Sequence, residues 1–399
     1  MRTMRLIAIV ALAVGLVACT TIRDLAYGDE PDPKRIPGGE SRLLLVDVRE
    51  DGELVCPGVD KHPVLCTERL ERVRHWLSTE STTAPIVVFV HGWHHNASDD
   101  DENLKGFKAF LLKLEDRRRQ AGVEHPAVDG IYVGWRGDAW EFAGPKWIQF
   151  LDFPTIWPRK AASVRVGEGG LRTLVSALRA EYPGRVLIVA GHSLGASAIF
   201  HAVKPDLHLS VESGQEFILM NPAVSEQEFD ALATRVRAAV RAARSESRVE
   251  QFRTHRVLMV LQALDDWPIG TLYAWAFPGV PVGFDDDKRT HNARMCESDC
   301  PEPSSASSAE DGRFGDPGCY HRLPGETEPA MVITAITRSG TCEQQMDNPV
   351  WVVTGEAAVS RDHNDIFNDP QAAALAAHIE RAIVNAERRL ALRALPQLD

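Results

Sequence analysis

Short apolar runs rich in β-branched residues recur along the chain at Leu43–Val48, Ile86–His91, Gly130–Trp135, Arg185–Ala190, Phe217–Met220, Arg256–Gln262 and Val350–Thr354. Each has the length and composition of a strand. Between most of them the apolar period changes to that of a helix. Leu104, Phe107, Leu111 and Leu114 share one helical face, and so do Leu171, Leu174, Val175 and Leu178. Phe229, Leu232, Val236 and Val240 form a third stripe, and Leu375, Ile379, Ile383, Ala386 and Leu390 a fourth. Strands alternating with helices predict an α/β fold: a mostly parallel sheet with helices on both faces.

Two segments interrupt the rhythm. Residues 136–163 carry Trp140, Phe142, Trp147, Phe150, Phe153 and Trp157 with no clear period, an aromatic insertion that either caps an apolar pocket or packs against the sheet. Residues 267–349 separate the last two predicted strands. They include the polar stretch "CPEPSSASSAEDGRFGDPGC", which reads as an exposed excursion. Neither segment looks like an independent unit, so residues 41–399 are expected to form one domain.

The first residues follow different rules. Arg2 and Arg5 precede an apolar run from Leu6 to Ala18, about 13 residues, too short for an ordinary membrane span and suited to the core of a signal peptide. Its end, Leu16-Val17-Ala18-Cys19, resembles the lipobox of bacterial lipoproteins. That resemblance implies a signal peptide over residues 1–18 and a lipid on Cys19. Thr20, in place of an aspartate, points to the outer membrane, facing the periplasm. A plain secretory signal is the alternative. Residues 19–40, with "GDEPDPKRIPGGE", read as a tether.

Composition narrows the partners. Hydrophobic residues make up 44% of the 399-residue chain, enough for a sizeable core. The net charge of −12 argues against a nucleic-acid partner. Besides Cys19 there are Cys56, Cys66, Cys296, Cys300, Cys319 and Cys342, an even set that permits disulfides outside the cytosol. Cys56 and Cys66 are expected to pair, and the remaining pairing is open. Cys296 and Cys300 lack the partner spacing of a zinc site.

The strongest chemical signal is "RVLIVAGHSLGASAIF", in which an apolar strand runs into Gly191-His192-Ser193-Leu194-Gly195 and a small-residue helix follows. This is G-x-S-x-G in its strand–turn–helix setting. The turn exposes the serine oxygen at the top of the sheet, and glycines on either side let strand and helix approach. The backbone N–H of Leu194 can then face a developing oxyanion.

Here the chain resembles the α/β-hydrolase superfamily, specifically its lipase- and esterase-like members, from about residue 85 to the C-terminus. The resemblance implies an α/β-hydrolase fold and assigns Ser193 as nucleophile. The "IVVFVHG" strand leads into an oxyanion loop in which the N–H of Trp93 is the second donor beside Leu194, with His91 structural. The family's order of nucleophile, acid and histidine then implies Asp266 as the acid, with Asp265 as alternative, and His363 as the base. The stretches "VFVHGWHHNA", "YVGWRG", "RKAASVRVG", "NPAV" and "DDWPIGTLYAWAFPG" are similar to a poorly characterised bacterial and fungal group within it. The expected protein is a lipid-anchored hydrolase of small-molecule or lipid acyl esters that needs no cofactor and no metal.

One stretch suggests a rival. "VHGWHHNASDDDEN" holds His91, His94 and His95 close to four acids, the composition of a metal nest. His91 ends a strand, however, and adjacent His94 and His95 point apart. The acids read better as a helix start, with Ser98 or an early aspartate as cap. A metallohydrolase built on these histidines, and a non-catalytic lipoprotein that keeps the fold, are the two alternatives.

Overall fold

The structure is a computed structural model that describes residues 34–55, 67–79, 83–137, 155–207, 215–245, 257–263, 276–277, 294–296, 319–321, 331–335, 350–355 and 363–394. The expected lipobox, Cys19, the Cys56–Cys66 pair, Asp265, Asp266 and most of the aromatic insertion lie outside these residues.

Eleven strands occur among the described residues. They are β1 (Lys34–Arg35), β2 (Arg42–Asp47), β3 (Ile86–Val90), β4 (Asp129–Gly134), β5 (Leu187–His192), β6 (Gln215–Met220), β7 (Leu258–Gln262), β8 (Arg294–Cys296), β9 (Cys319–His321), β10 (Met331–Ala335) and β11 (Val350–Gly355). Nine form one sheet in the order β1-β2-β4-β3-β5-β6-β7-β11-β10. From β2 to β11 every pairing in that order is parallel. The edge strands β1 and β10 are antiparallel to their neighbours, and β8 and β9 make a separate parallel pair. The chain is therefore of the α/β class, with a mostly parallel sheet. β1 lies inside the stretch read as a tether, where Ile36 is buried. β10 belongs to the long excursion yet completes the main sheet.

The helices are α1 (Thr67–Ser78), α2 (Glu102–Gln120), α3 (Ile156–Val166), α4 (Arg172–Glu181), α5 (Leu194–Val203), α6 (Glu226–Ser245) and α7 (Asp369–Ala394). The two-residue period of the strands divides the core. Ile86, Val88 and Val90 face one side, with Trp76 of α1, Leu174 and Leu178 of α4, Phe200 of α5 and Phe229 of α6. Val87 and Phe89 face the other, with Leu104, Phe107 and Leu111 of α2 and Leu375, Ile379 and Ile383 of α7. Both faces of the central strands are thus covered, which is why their runs are continuously apolar. Each fully buried aliphatic or aromatic side chain contributes about 1.5–3 kcal/mol. Among the described residues no helix is long and apolar enough to cross a membrane.

The run expected at Arg185–Ala190 forms its strand two residues later. Arg185 is drawn to the amino end of the sheet, where its Nε donates to Ala84 O at 2.6 Å and its guanidinium pairs with the buried Asp129. Arg42 donates to the other oxygen of the same carboxylate at 2.8 Å. At its far end the strand continues through Gly191 and His192 because β6 keeps pairing with it.

Asp47, at the carboxyl end of β2, is fully buried, and neither carboxyl oxygen has a hydrogen-bond partner among the described residues. Burial pushes its pKa well above the ordinary range, and the charge of Arg69 offsets this only in part. A raised carboxyl pKa contributes stability that is complete below the unfolded value, about 3.9, and is lost as pH rises through the folded value. Asp47→Asn should therefore be more stable than the parent by about 1–3 kcal/mol at pH 8, with the gain shrinking toward pH 4.5. Denaturant titrations at the two pH values check this; an equal gain at both would rule out the carboxyl as the cause.

Candidate active site

The carboxyl ends of β3 and β5 adjoin where the strand order reverses: the chain passes from β3 to β4 on one side and from β5 to β6 on the other. Open parallel sheets bind ligands in the crevice at such a point. Ser193 stands there between β5 and α5, with φ 53° and ψ −115°. This backbone is strained for any residue with a Cβ. It is held by a bond from Ser193 N–H to Met220 O at 2.9 Å and by Ser197 and Ala223 N–H groups on Ser193 O at 3.0 and 3.3 Å.

The flanking glycines serve close approach. A Cβ on Gly195 would lie 2.3 Å from the carbonyl oxygens of both Val90 and His91, so α5 starts directly against the end of β3. One on Gly191 would lie 2.6 Å from Ile199 Cδ1. Gly92 passes beside the serine turn, where a Cβ would be 3.1 Å from Ser193 Cβ and 3.0 Å from His192 Nδ1. Leu194 is the first residue of α5, so its N–H has no acceptor within the helix. Trp93 follows Gly92, and its ring stacks on His94 at 4.0 Å.

The three histidines that follow β3, His91, His94 and His95, go to different places. His91 is buried; its Nε2 accepts from Trp135 N–H at 3.1 Å, and its Nδ1 faces Gly92 O at 3.0 Å. That fixes the tautomer, with the proton on Nδ1, and sandwiches the ring between Tyr132 and Trp135. His94 takes a left-handed backbone, φ 65°, to reach the Trp93 ring. His95 Nδ1 lies 3.2 Å from Asp101 Oδ2, which also accepts from Asn96 N–H. The other Asp101 oxygen caps α2 through Asn103 and Leu104 N–H. Burial works against the ionised form of Asp101, but the hydrogen bonds and charge of His95 and the Asn96 N–H hold its pKa down to about 2. Among the described residues no group of three His, Cys, Asp or Glu side chains is placed to hold a metal ion.

His363 precedes a short 3₁₀ turn, Asp365–Phe367, that leads into α7. Phe367 pins this loop to the core by packing on Phe89 and Phe110 at ring distances of 5.0 and 5.9 Å. The His363 ring lies 4.7 Å from that of His192, the residue before the serine. The His363 carbonyl accepts two bonds of 2.8 Å, from His192 Nε2–H and from Asn221 Nδ2. His192 therefore carries its proton on Nε2. Burial first, then the neighbouring histidines, push its pKa well below the ordinary value, so it stays neutral. The structure thus brings Ser193, the Gly92–Trp93 loop, Leu194 and His363 to the carboxyl end of the central strands.

Two supporting residues have no counterpart in the motif reading. Asn221 follows β6. Lys160 of α3 donates to Ser197 Oγ at 2.6 Å and to Ala223 O, tying the nucleophile helix to the loop after β6. Burial, reinforced by Lys204 and opposed by Glu228, lowers the Lys160 pKa to about 8. Both lie within the "NPAV" and "RKAASVRVG" stretches, whose spacing alone does not disclose a role. No model of a protein family matches the chain, and no curated protein matches it.

The close approach at Gly195 has a direct consequence. Gly195→Ala must displace backbone carbonyls, a cost of about 1–3 kcal/mol or more. Gly184→Ala, with nothing within 4 Å of the new methyl, should change stability little. Thermal unfolding of the two variants distinguishes them, and equal midpoints would contradict the packing described.

Proposed function

We propose that the chain is a serine hydrolase of the α/β-hydrolase type, lipid-anchored through Cys19 in a bacterial cell envelope, that cleaves ester-type bonds. The observation that carries this reading is the backbone of Ser193: a non-glycine residue at φ 53°, between a buried parallel strand and a helix start. Supporting it are the Gly92–Trp93 loop beside the serine and His363, buried and held by its carbonyl, ahead of the last helix.

In the proposed reaction His363 accepts the Ser193 proton as the serine oxygen attacks the ester carbonyl. The oxyanion takes hydrogen bonds from the N–H groups of Leu194 and Trp93, donors fixed before the charge develops. His363 then protonates the leaving alcohol. Water, deprotonated by His363, releases the acid and restores Ser193. Asp266 holds the imidazole in the required tautomer and stabilises the imidazolium. His91, with its ring nitrogens engaged by the Trp135 N–H and the Gly92 carbonyl, keeps the loop of the Trp93 donor in register.

A fluorophosphonate probe should label the protein, and Ser193→Ala should abolish labelling; labelling of both alike would refute the assignment. On a short-chain ester, Asp266→Asn should lower kcat by about 10⁴-fold, and Asp265→Asn should leave it near the parent value. The reverse result would move the acid to Asp265.

A further inference from the structure

Among the described residues the non-glycine residues with positive φ are His94, Ser193 and Asn221, just beyond the carboxyl ends of β3, β5 and β6. The proposed mechanism uses Ser193 directly and the loop of His94 through Trp93, but gives Asn221 no task. Its strain needs a cause. Asn221 has φ 45° and stands before Pro222, and a proline further disfavours helical backbone in the residue ahead of it. Asparagine tolerates the left-handed region better than most residues, but a side chain needed only to fill space would not be held there.

The amide explains the conformation. Asn221 is 1% exposed, and both ends of its side chain are engaged. Oδ1 accepts from Ala263 N–H at 2.7 Å, and Nδ2 donates to the His363 carbonyl at 2.8 Å. Its own N–H donates to Leu261 O at 2.7 Å. Ala263 is the first residue past β7 and lies three positions ahead of Asp266. A single side chain therefore joins the strand end that leads to the proposed acid with the backbone of the proposed base. This needs a donor and an acceptor on one short planar group: an aspartate lacks the donor, and a leucine of similar shape lacks both.

We infer that Asn221 is a positioning residue that sets His363 against the Ser193 turn by tying the His363 carbonyl to the end of β7. The inference rests on the serine-hydrolase reading. His192 donates to the same carbonyl from the nucleophile side, so the His363 backbone is held between the β5 and β7 ends. Loss of the Asn221 donor leaves one of these two restraints. The base then drifts, and small misplacements of a reacting group cost up to about 10²-fold in rate.

The test uses the full chain and the rate of Ser193 labelling by a fluorophosphonate, together with kcat and KM on a short-chain ester. Asn221→Asp keeps the acceptor for Ala263 but sets a carboxylate against the His363 carbonyl. Labelling and kcat should fall about 10- to 100-fold at pH 8, with KM changed less than about threefold. As pH falls, protonation of the new carboxyl restores a donor, so the ratio of variant to parent rate should rise toward one. Asn221→Gly accepts the left-handed backbone without strain and should lose rate at every pH. A parent that labels normally, with Asn221→Gly labelling at the parent rate, overturns the positioning role alone. So does a ratio for Asn221→Asp that is flat with pH. A parent that never labels overturns the serine-hydrolase reading, and this role with it. If Asn221→Asp does not fold, Asn221→Gly decides.

Discussion

At the centre of the sheet the start of α5 rests on the end of β3, with no room for a methyl group between them. The carbonyl oxygens of Val90 and His91 stand 2.3 Å from where a Cβ on residue 195 would be. That approach sets the sharpness of the turn at Ser193, because the chain must reverse from strand to helix within the width of a backbone. It also brings Gly92 beside the serine. Ser193 has a Cβ, so the left-handed backbone costs energy, and the structure offsets that cost with backbone bonds to β6 and to the loop after it.

Strain of this kind persists only where surroundings over-determine it. Around Ser193 they do so in layers. Lys160 ties the nucleophile helix to the Ala223 carbonyl, and Ala223 donates back to Ser193. His192 and Asn221 clamp the same carbonyl of His363 from two strands. These contacts join segments far apart in the sequence at the one turn that holds Ser193. The amino end of the sheet is held differently, by Asp129 bridging two buried arginines. A buried carboxylate between two guanidinium groups is costly to break, and it lies away from the candidate site.

The acidic and histidine-rich stretch after β3 divides its side chains among separate partners. Three histidines and four acids in sequence suggest a metal. In space His91 is locked between two aromatic rings, His94 stacks on Trp93, and His95 joins the aspartate that caps α2. The expectation that an early aspartate starts the helix holds for Asp101, whose second oxygen also ties the loop to that helix. The same loop thus carries Trp93 on one side and anchors itself on the other.

Much of the α/β architecture was legible along the chain, because a strand buried on both faces must be apolar throughout and a covering helix must repeat its apolar positions near every 3.6 residues. The stripes at Leu104–Leu114 and Leu171–Leu178 are buried as those periods require. The strand–turn–helix setting of Ser193 was equally local, since its glycines and small residues are adjacent in sequence. What the sequence could not decide are the contacts between distant segments. The shift of β5, the joining of β10 to the main sheet, and the pairing of β1 inside an apparent tether depend on partners far along the chain. The role of Asn221 belongs there too. Nothing near it in sequence names Ala263 or His363, and only the folded sheet brings the ends of β6 and β7 and the loop before α7 within hydrogen-bonding reach.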